Sequence, residues 1–134
     1  MRFFLFTDGA SRGNPGPAAA GVVLKDEKGK VILESSQFLG RMTNNEAEYR
    51  ALLLGLAKAA AAASGQELVV LMDSELVVSQ IQGIYRMKAP HLRELLLDVR
   101  LKEKSFGKVV YKLIPREKNT HADALANQAL DQAS

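Results

Sequence analysis

The sequence predicts one α/β domain, a five-stranded mixed sheet flanked by helices, and three observations predict it. Two short apolar runs, Arg2 to Asp8 (RFFLFTD) and Leu68 to Met72 followed by Asp73, have the character of strands buried on both faces. Three strand-like segments come first, separated by turn formers, and helix and strand then alternate to the end of the chain. Right-handed crossovers from the first strand to the fourth and from the fourth to the fifth make those three parallel. Asp8 and Asp73 therefore both arrive at carboxyl ends of strands, where ligands of open α/β sheets collect.

Each element has its own signal. The first strand ends at Asp8 and passes into a stretch of turn formers from Gly9 to Pro17. Ala18 to Leu24 is a second strand, Asp26 to Lys30 a polar hairpin turn, and Val31 to Phe38 a third strand. Arg41 to Asn45 leads into a long Ala- and Leu-rich helix over Asn44 to Ala63, which Ser64-Gly65 stops. After the Leu68 to Met72 strand, Ser74 to Gln82 reads as a short helix. Pro90 to Lys104 is a longer one, with Pro90 suited to its first turn. Val109 to Ile114 is the fifth strand, closed by Pro115, and Asn119 to Ala133 the last helix. No repeat, linker or second domain interrupts residues 1–134.

Composition narrows the function classes. At 134 residues with 47% hydrophobic and 25% charged residues, the chain has the make-up of a soluble globular domain. It contains no cysteine, which excludes disulfides and thiolate metal sites and fits a reducing, cytoplasmic setting. The apolar opening Phe3 to Phe6 is too short for a signal peptide or a membrane span. The net charge of +3 is unevenly spread. Residues 86–118 hold ten Lys/Arg against four acids, whereas the rest of the chain is net negative. Such a basic third suits a polyanionic partner such as nucleic acid, although a solvated helix face has the same composition.

Four acids are candidates to converge. Taken alone, Asp8 fits a turn residue bonding its own backbone as well as a metal ligand. Glu46 and Glu48 lie two apart on a helix and cannot face one site. Glu48 falls on the buried stripe with Leu52 and Leu56, whereas Thr43-Asn44-Asn45-Glu46 reads as a capping box. Asp123 follows Thr120 in a capping pattern, yet enters its helix on the same rim as Asp8 and Asp73. Two unit charges ~4 Å apart repel by about 4 kcal/mol at an effective dielectric of 20. Four clustered carboxylates would therefore raise one another's pKa values or disrupt the fold unless cations bind. An all-oxygen set favours Mg²⁺ or Mn²⁺ over Zn²⁺, and two such ions suit phosphodiester displacement. The glycine-rich loop lacks the phosphate-cradling pattern, and its two prolines remove amides. Close passage of a nucleic acid strand and a plain tight hairpin both explain it.

These residues resemble the type 1 ribonuclease H family, nearly end to end. The resemblance rests on Thr7-Asp8-Gly9-Ala10-Ser11 with Gly13-Asn14-Pro15-Gly16, on Thr43-Asn44-Asn45-Glu46-Ala47-Glu48, on Asp73-Ser74, and on Ala122-Asp123-Ala124-Leu125-Ala126. It implies a ribonuclease H-like sheet and an endonuclease that cuts the RNA strand of RNA/DNA hybrids, leaving 5′-phosphate and 3′-hydroxyl ends; the chain is expected to act as a monomer. Asp8, Glu48, Asp73 and Asp123 match the family's carboxylates, which hold two divalent ions (Mg²⁺ or Mn²⁺), with Asp8 shared between them. Asn14, Asn44 and Asn45 match positions that contact the hybrid, and Arg41 and Thr43 match a pocket for a DNA-strand phosphate.

Two departures stand out. Many members carry a histidine in a flexible loop before the last helix. The segment from Pro115 to Thr120 here is short and has none, as in the archaeal-like branch, and Arg116 is the expected partial substitute. His121 is read as a surface residue of the first helical turn. Tyr85 to Pro90 leaves no room for the basic protrusion of some members, so substrate affinity is expected to be modest and salt-dependent. Double-stranded RNA stays open as a further substrate. Two other readings compete: an inert nucleic-acid-binding module on the same fold, and a phospho-acceptor domain. The latter wants a paired acid after strand one and a lysine after strand five. Here Gly9 follows Asp8, and Pro115-Arg116 follows Ile114.

Overall fold

Alternation along the first strand decides what each face of the sheet meets. In the computed structural model, which describes residues 1–133, β1 (Arg2–Ser11) buries Phe3, Leu5, Thr7 and Gly9 toward one side. It turns Asp8 and Ala10 to the other. The remaining elements are β2 (Gly16–Lys25), β3 (Val31–Met42), α1 (Asn44–Ala63), β4 (Glu67–Met72), α2 (Glu75–Ile81), α3 (Pro90–Glu103), β5 (Lys108–Leu113) and α4 (Thr120–Ala133). The sheet order is β3-β2-β1-β4-β5, with β1–β2–β3 antiparallel and β1–β4–β5 parallel. This is the mixed topology expected from the pattern of runs.

The main core lies on the α1 side. Phe3, Leu5, Leu68, Val70 and Met72 of the sheet pack with Tyr49, Leu52 and Leu56 of α1, and Leu92, Leu95 and Val99 of α3 close it. Cutting Leu52 or Leu56 to Ala would cost about 2–5 kcal/mol. A smaller cluster on the opposite face joins Ala19 to Ala129 and Leu130 of α4. Helix α1 runs over the expected residues and stops before Gly65, which takes φ +75°. That conformation is easiest for glycine.

Two strands outrun their apolar signal. β1 does not end at Asp8 but continues to Ser11, because Gly9, Ala10 and Ser11 pair with Ala20, Ala19 and Ala18. The turn-rich stretch is thus mostly strand, leaving a tight hairpin at residues 12–15 in which the Arg12 N–H donates to the Pro17 carbonyl (2.8 Å). β3 runs past Phe38 to Met42 through a bulge, with Gly40 at φ +91° absorbing the extra residue. The parallel β1–β4 ladder, by contrast, ends at Phe6 and Leu71. Beyond it β1 keeps only β2 as a ladder partner, and Asp8 stands where β1 and β4 part.

Candidate active site

The acids are brought together by two unusually close backbone approaches and by the end of β4. Gly9 lies against α1, where a Cβ would fall 2.2 Å from the Ala47 carbonyl oxygen. Its N–H donates to Glu48 Oε1 at 2.8 Å, fixing a carboxylate that the helix stripe already turns inward. Gly21, the ladder partner of Asp8, lies against α4 on the opposite face, where a Cβ would fall 1.9 Å from the Ala122 carbonyl oxygen. That contact brings Asp123, in the first turn of α4, to Asp8. Asp73 follows directly on Met72, whose carbonyl accepts the Ile114 N–H (2.9 Å).

Asp8, Glu48 and Asp73 each present a carboxylate oxygen within 4.8 Å of the others. Asp8 and Glu48 are buried, at 6% and 4% exposure, and Asp73 and Asp123 are half-buried. The cost of crowding these charges appears in their protonation. Burial, then the charges of Glu48 and Asp73 and the adjoining Asp123, push the Asp8 pKa up to about 9. Burial likewise pushes Glu48 up to about 8, with Asp73 adding to the effect, while the Gly9 N–H and the Arg116 guanidinium oppose it. A divalent cation reverses this balance, since neutralising the cluster favours the ionised carboxylates. The donor set is all oxygen and tightly grouped, so it fits a hard divalent ion.

The other predicted residues fall into two groups. Asn14, Arg41, Thr43, Asn44 and Asn45 gather where the β1–β2 hairpin meets the start of α1. Asn14 Oδ1 accepts the Asn44 N–H (3.0 Å), Arg41 pairs with Pro17 in the β2–β3 ladder, and Ser11 donates its hydroxyl to the Met42 carbonyl (3.0 Å). The capping box forms by half. Thr43 Oγ1 accepts the Glu46 N–H (3.2 Å), but the Glu46 carboxylate lies 3.5 Å from Arg50 and 3.8 Å from His91. On the other rim, Arg116 opens a short 3-10 turn (Arg116–Lys118) and is electrostatically coupled to Glu48. His121 sits on the surface 3.3 Å from Glu34, as expected of a first-turn surface residue.

One residue carries more than its sequence signal suggests. Asn119 is expected as the first residue of the last helix, but the helix begins at Thr120 and Asn119 precedes it, 1% exposed. Its Nδ2 donates to the Thr7 carbonyl (3.0 Å) and to Asp73 Oδ2 (3.2 Å), and its carbonyl accepts the Asp123 N–H (3.1 Å). The available signal is the residue type. Asn is a favoured helix cap, and it stands four residues before an acid already singled out.

Comparison with known proteins bears on the family and the fold. A family profile described as "Reverse transcriptase-like" matches residues 6–129. A Mycobacterium tuberculosis protein named as bifunctional is 44% identical over the whole chain, which spans 37% of that relative's length. A Halobacterium salinarum protein named Ribonuclease HI is 42% identical over 98% of the chain and 66% of its own length. The crystal structure of RNase H1 from that archaeon superposes with a TM-score of 0.94 at 41% identity, covering 98% of this chain and 99% of the other. LC11-RNase H1, isolated from compost and crystallised with an RNA/DNA hybrid, gives 0.93 at 44% identity over 98% of each chain.

Proposed function

The chain belongs to the type 1 ribonuclease H family, and on that premise we propose that it is a metal-dependent endonuclease hydrolysing the RNA strand of RNA/DNA hybrids. The observation that supports this most is the convergence of Asp8, Glu48 and Asp73 within 4.8 Å. Asp8, Glu48, Asp73 and Asp123 would hold the ions. When bound, two divalent cations supply a water of lowered pKa and neutralise charge on the attacking and leaving oxygens, giving 5′-phosphate and 3′-hydroxyl products.

The chain's own residues bind and orient the substrate around that centre. Asn14, Asn44 and Asn45, grouped at the hairpin and the start of α1, would read the minor groove of the hybrid. There the 2′-hydroxyls distinguish RNA from DNA. Arg41 and Thr43 would hold a phosphate of the DNA strand, and Arg116 would place positive charge beside Glu48 without a histidine. The crystallisation of LC11-RNase H1 with an RNA/DNA hybrid supports the hybrid as the substrate class.

The same reading makes residues 1–134 a single catalytic domain acting as a monomer in the cytoplasm. All four carboxylates arise from one sheet and its helices, which supports the single domain. The absence of cysteine suits a reducing compartment. Among the described residues no helix is long and apolar enough to cross a membrane.

Gel-resolved cleavage of matched RNA/DNA, RNA/RNA and DNA/DNA duplexes tests the proposal. Metal-dependent cutting of the RNA strand of the hybrid is expected, and the RNA/RNA duplex shows whether double-stranded RNA is also a substrate. Hybrid binding without turnover in either metal would favour the inert module instead.

A further inference from the structure

We propose that Asn119 is a positioning residue of this site, holding Asp73 and Asp123 in register with β1 so that the carboxylates present one joint divalent-cation site. This inference rests on the functional reading above. The segment before α4 makes the arrangement possible. The 3-10 turn at Arg116–Lys118 closes with the Lys118 N–H on the Pro115 carbonyl (3.0 Å) and the Asn119 N–H on the Arg116 carbonyl (2.9 Å). It thereby drives Asn119 inward between the start of α4 and the rim of the sheet.

From there one side chain and its own carbonyl reach three segments that each bear or adjoin an acid. They are Thr7 next to Asp8 on β1, Asp73 after β4, and Asp123 on α4. Both partners of Nδ2, a carbonyl and a carboxylate, are pure acceptors, so the donor end of the amide must face them. A residue kept for stability alone would be a poor choice here. Asn119 Oδ1 is buried without a protein hydrogen-bond partner among the described residues, and a buried acceptor left unpaired is costly. The donor contacts to Asp73 and Thr7 are what the amide offers in return. Partners of this kind, which orient a ligating carboxylate without touching the ion, typically govern metal affinity or activity by ~10–100-fold.

The test is Asn119→Ala in the full chain, which removes the amide and leaves the main-chain carbonyl that receives the Asp123 N–H. Mn²⁺ affinity is measured by calorimetry without substrate, and kcat and KM are measured on an RNA/DNA hybrid. Both are run at a temperature where circular dichroism shows the variant folded. The expected result is a Kd for Mn²⁺ raised ~10–100-fold and a kcat lowered by a similar factor, with KM within about twofold of wild type. A lower melting temperature with unchanged Kd and kcat would mean a purely structural role and overturn the proposal. If the Ala variant does not fold, Asn119→Ser carries the same test. Its side chain is one bond shorter and falls short of both acceptors, so a wild-type Kd and kcat there would equally overturn it. The calorimetry stands apart from the substrate question. A wild-type protein that binds Mn²⁺ but cuts no hybrid would sink the functional reading while leaving Asn119 testable.

Discussion

Asp8 and Gly21 face each other across the β1–β2 ladder, and the missing side chain of Gly21 is what lets α4 deliver Asp123 to Asp8. The acid and the glycine point to the same face, so space for the helix is made at the one place where its first turn must meet the carboxylate. Gly21→Ala would put a methyl group 1.9 Å from the Ala122 carbonyl oxygen, a backbone atom with no rotamer to escape into. We expect a loss of about 2–4 kcal/mol by urea denaturation. Where the variant is still folded, we expect cleavage reduced at least tenfold as Asp123 is displaced. Wild-type stability would mean that α4 does not press on the sheet at Gly21.

Asp8→Asn removes a carboxyl that the folded, metal-free protein must hold protonated at neutral pH, at a cost the amide does not carry. The variant should lose cleavage and, without divalent metal at pH 7.5, gain about 1–2 kcal/mol of stability. Melting in EDTA checks the second part, and an equal or lower melting temperature would contradict it.

The direction of the pH dependence follows from the same two groups. Asp8 is raised from 3.8 to about 9 and Glu48 from 4.5 to about 8, so between these limits the folded protein binds more protons than the unfolded chain. Their contribution to stability is therefore fully present below about pH 4 and is lost as pH rises toward 9, opposite to an ordinary paired carboxylate. Denaturation in EDTA at pH 5, 7 and 9 should show wild type falling relative to Asp8→Asn as pH rises, and Mg²⁺ should shrink that gap. A gap that narrows with pH in EDTA would show the sign to be wrong.

Arg41 is exposed near the end of β3, paired with Pro17 beside the β1–β2 hairpin, which suits a phosphate contact. Arg41→Ala should raise KM for the hybrid several-fold, leave kcat within about twofold, and reduce the slope of log affinity against log salt by roughly one. An unchanged salt slope would remove Arg41 from the interface.

The four acids are legible in the sequence because each sits beside a pattern that periodicity can read. Asp8 and Asp73 close apolar runs, Glu48 lies on the stripe of Leu52 and Leu56, and Asp123 opens an amphipathic helix. What escapes is polar or small. Gly9 to Ser11 carry no apolar signal, yet they extend β1 because Ala18, Ala19 and Ala20 pair with them. Gly40 has the look of a stop but serves a bulge within β3. The placement of Asn119 depends on a 3-10 turn that no period announces, and on partners more than forty residues away in sequence.

The most direct test of the account is cleavage of one end-labelled RNA/DNA hybrid by wild type and by Asp8→Asn, with Mg²⁺, with Mn²⁺ and with EDTA. The account predicts RNA-strand products from wild type in at least one metal, none in EDTA, and none from the variant under any condition. Cleavage that survives EDTA, or that the Asp8→Asn protein retains, would contradict it.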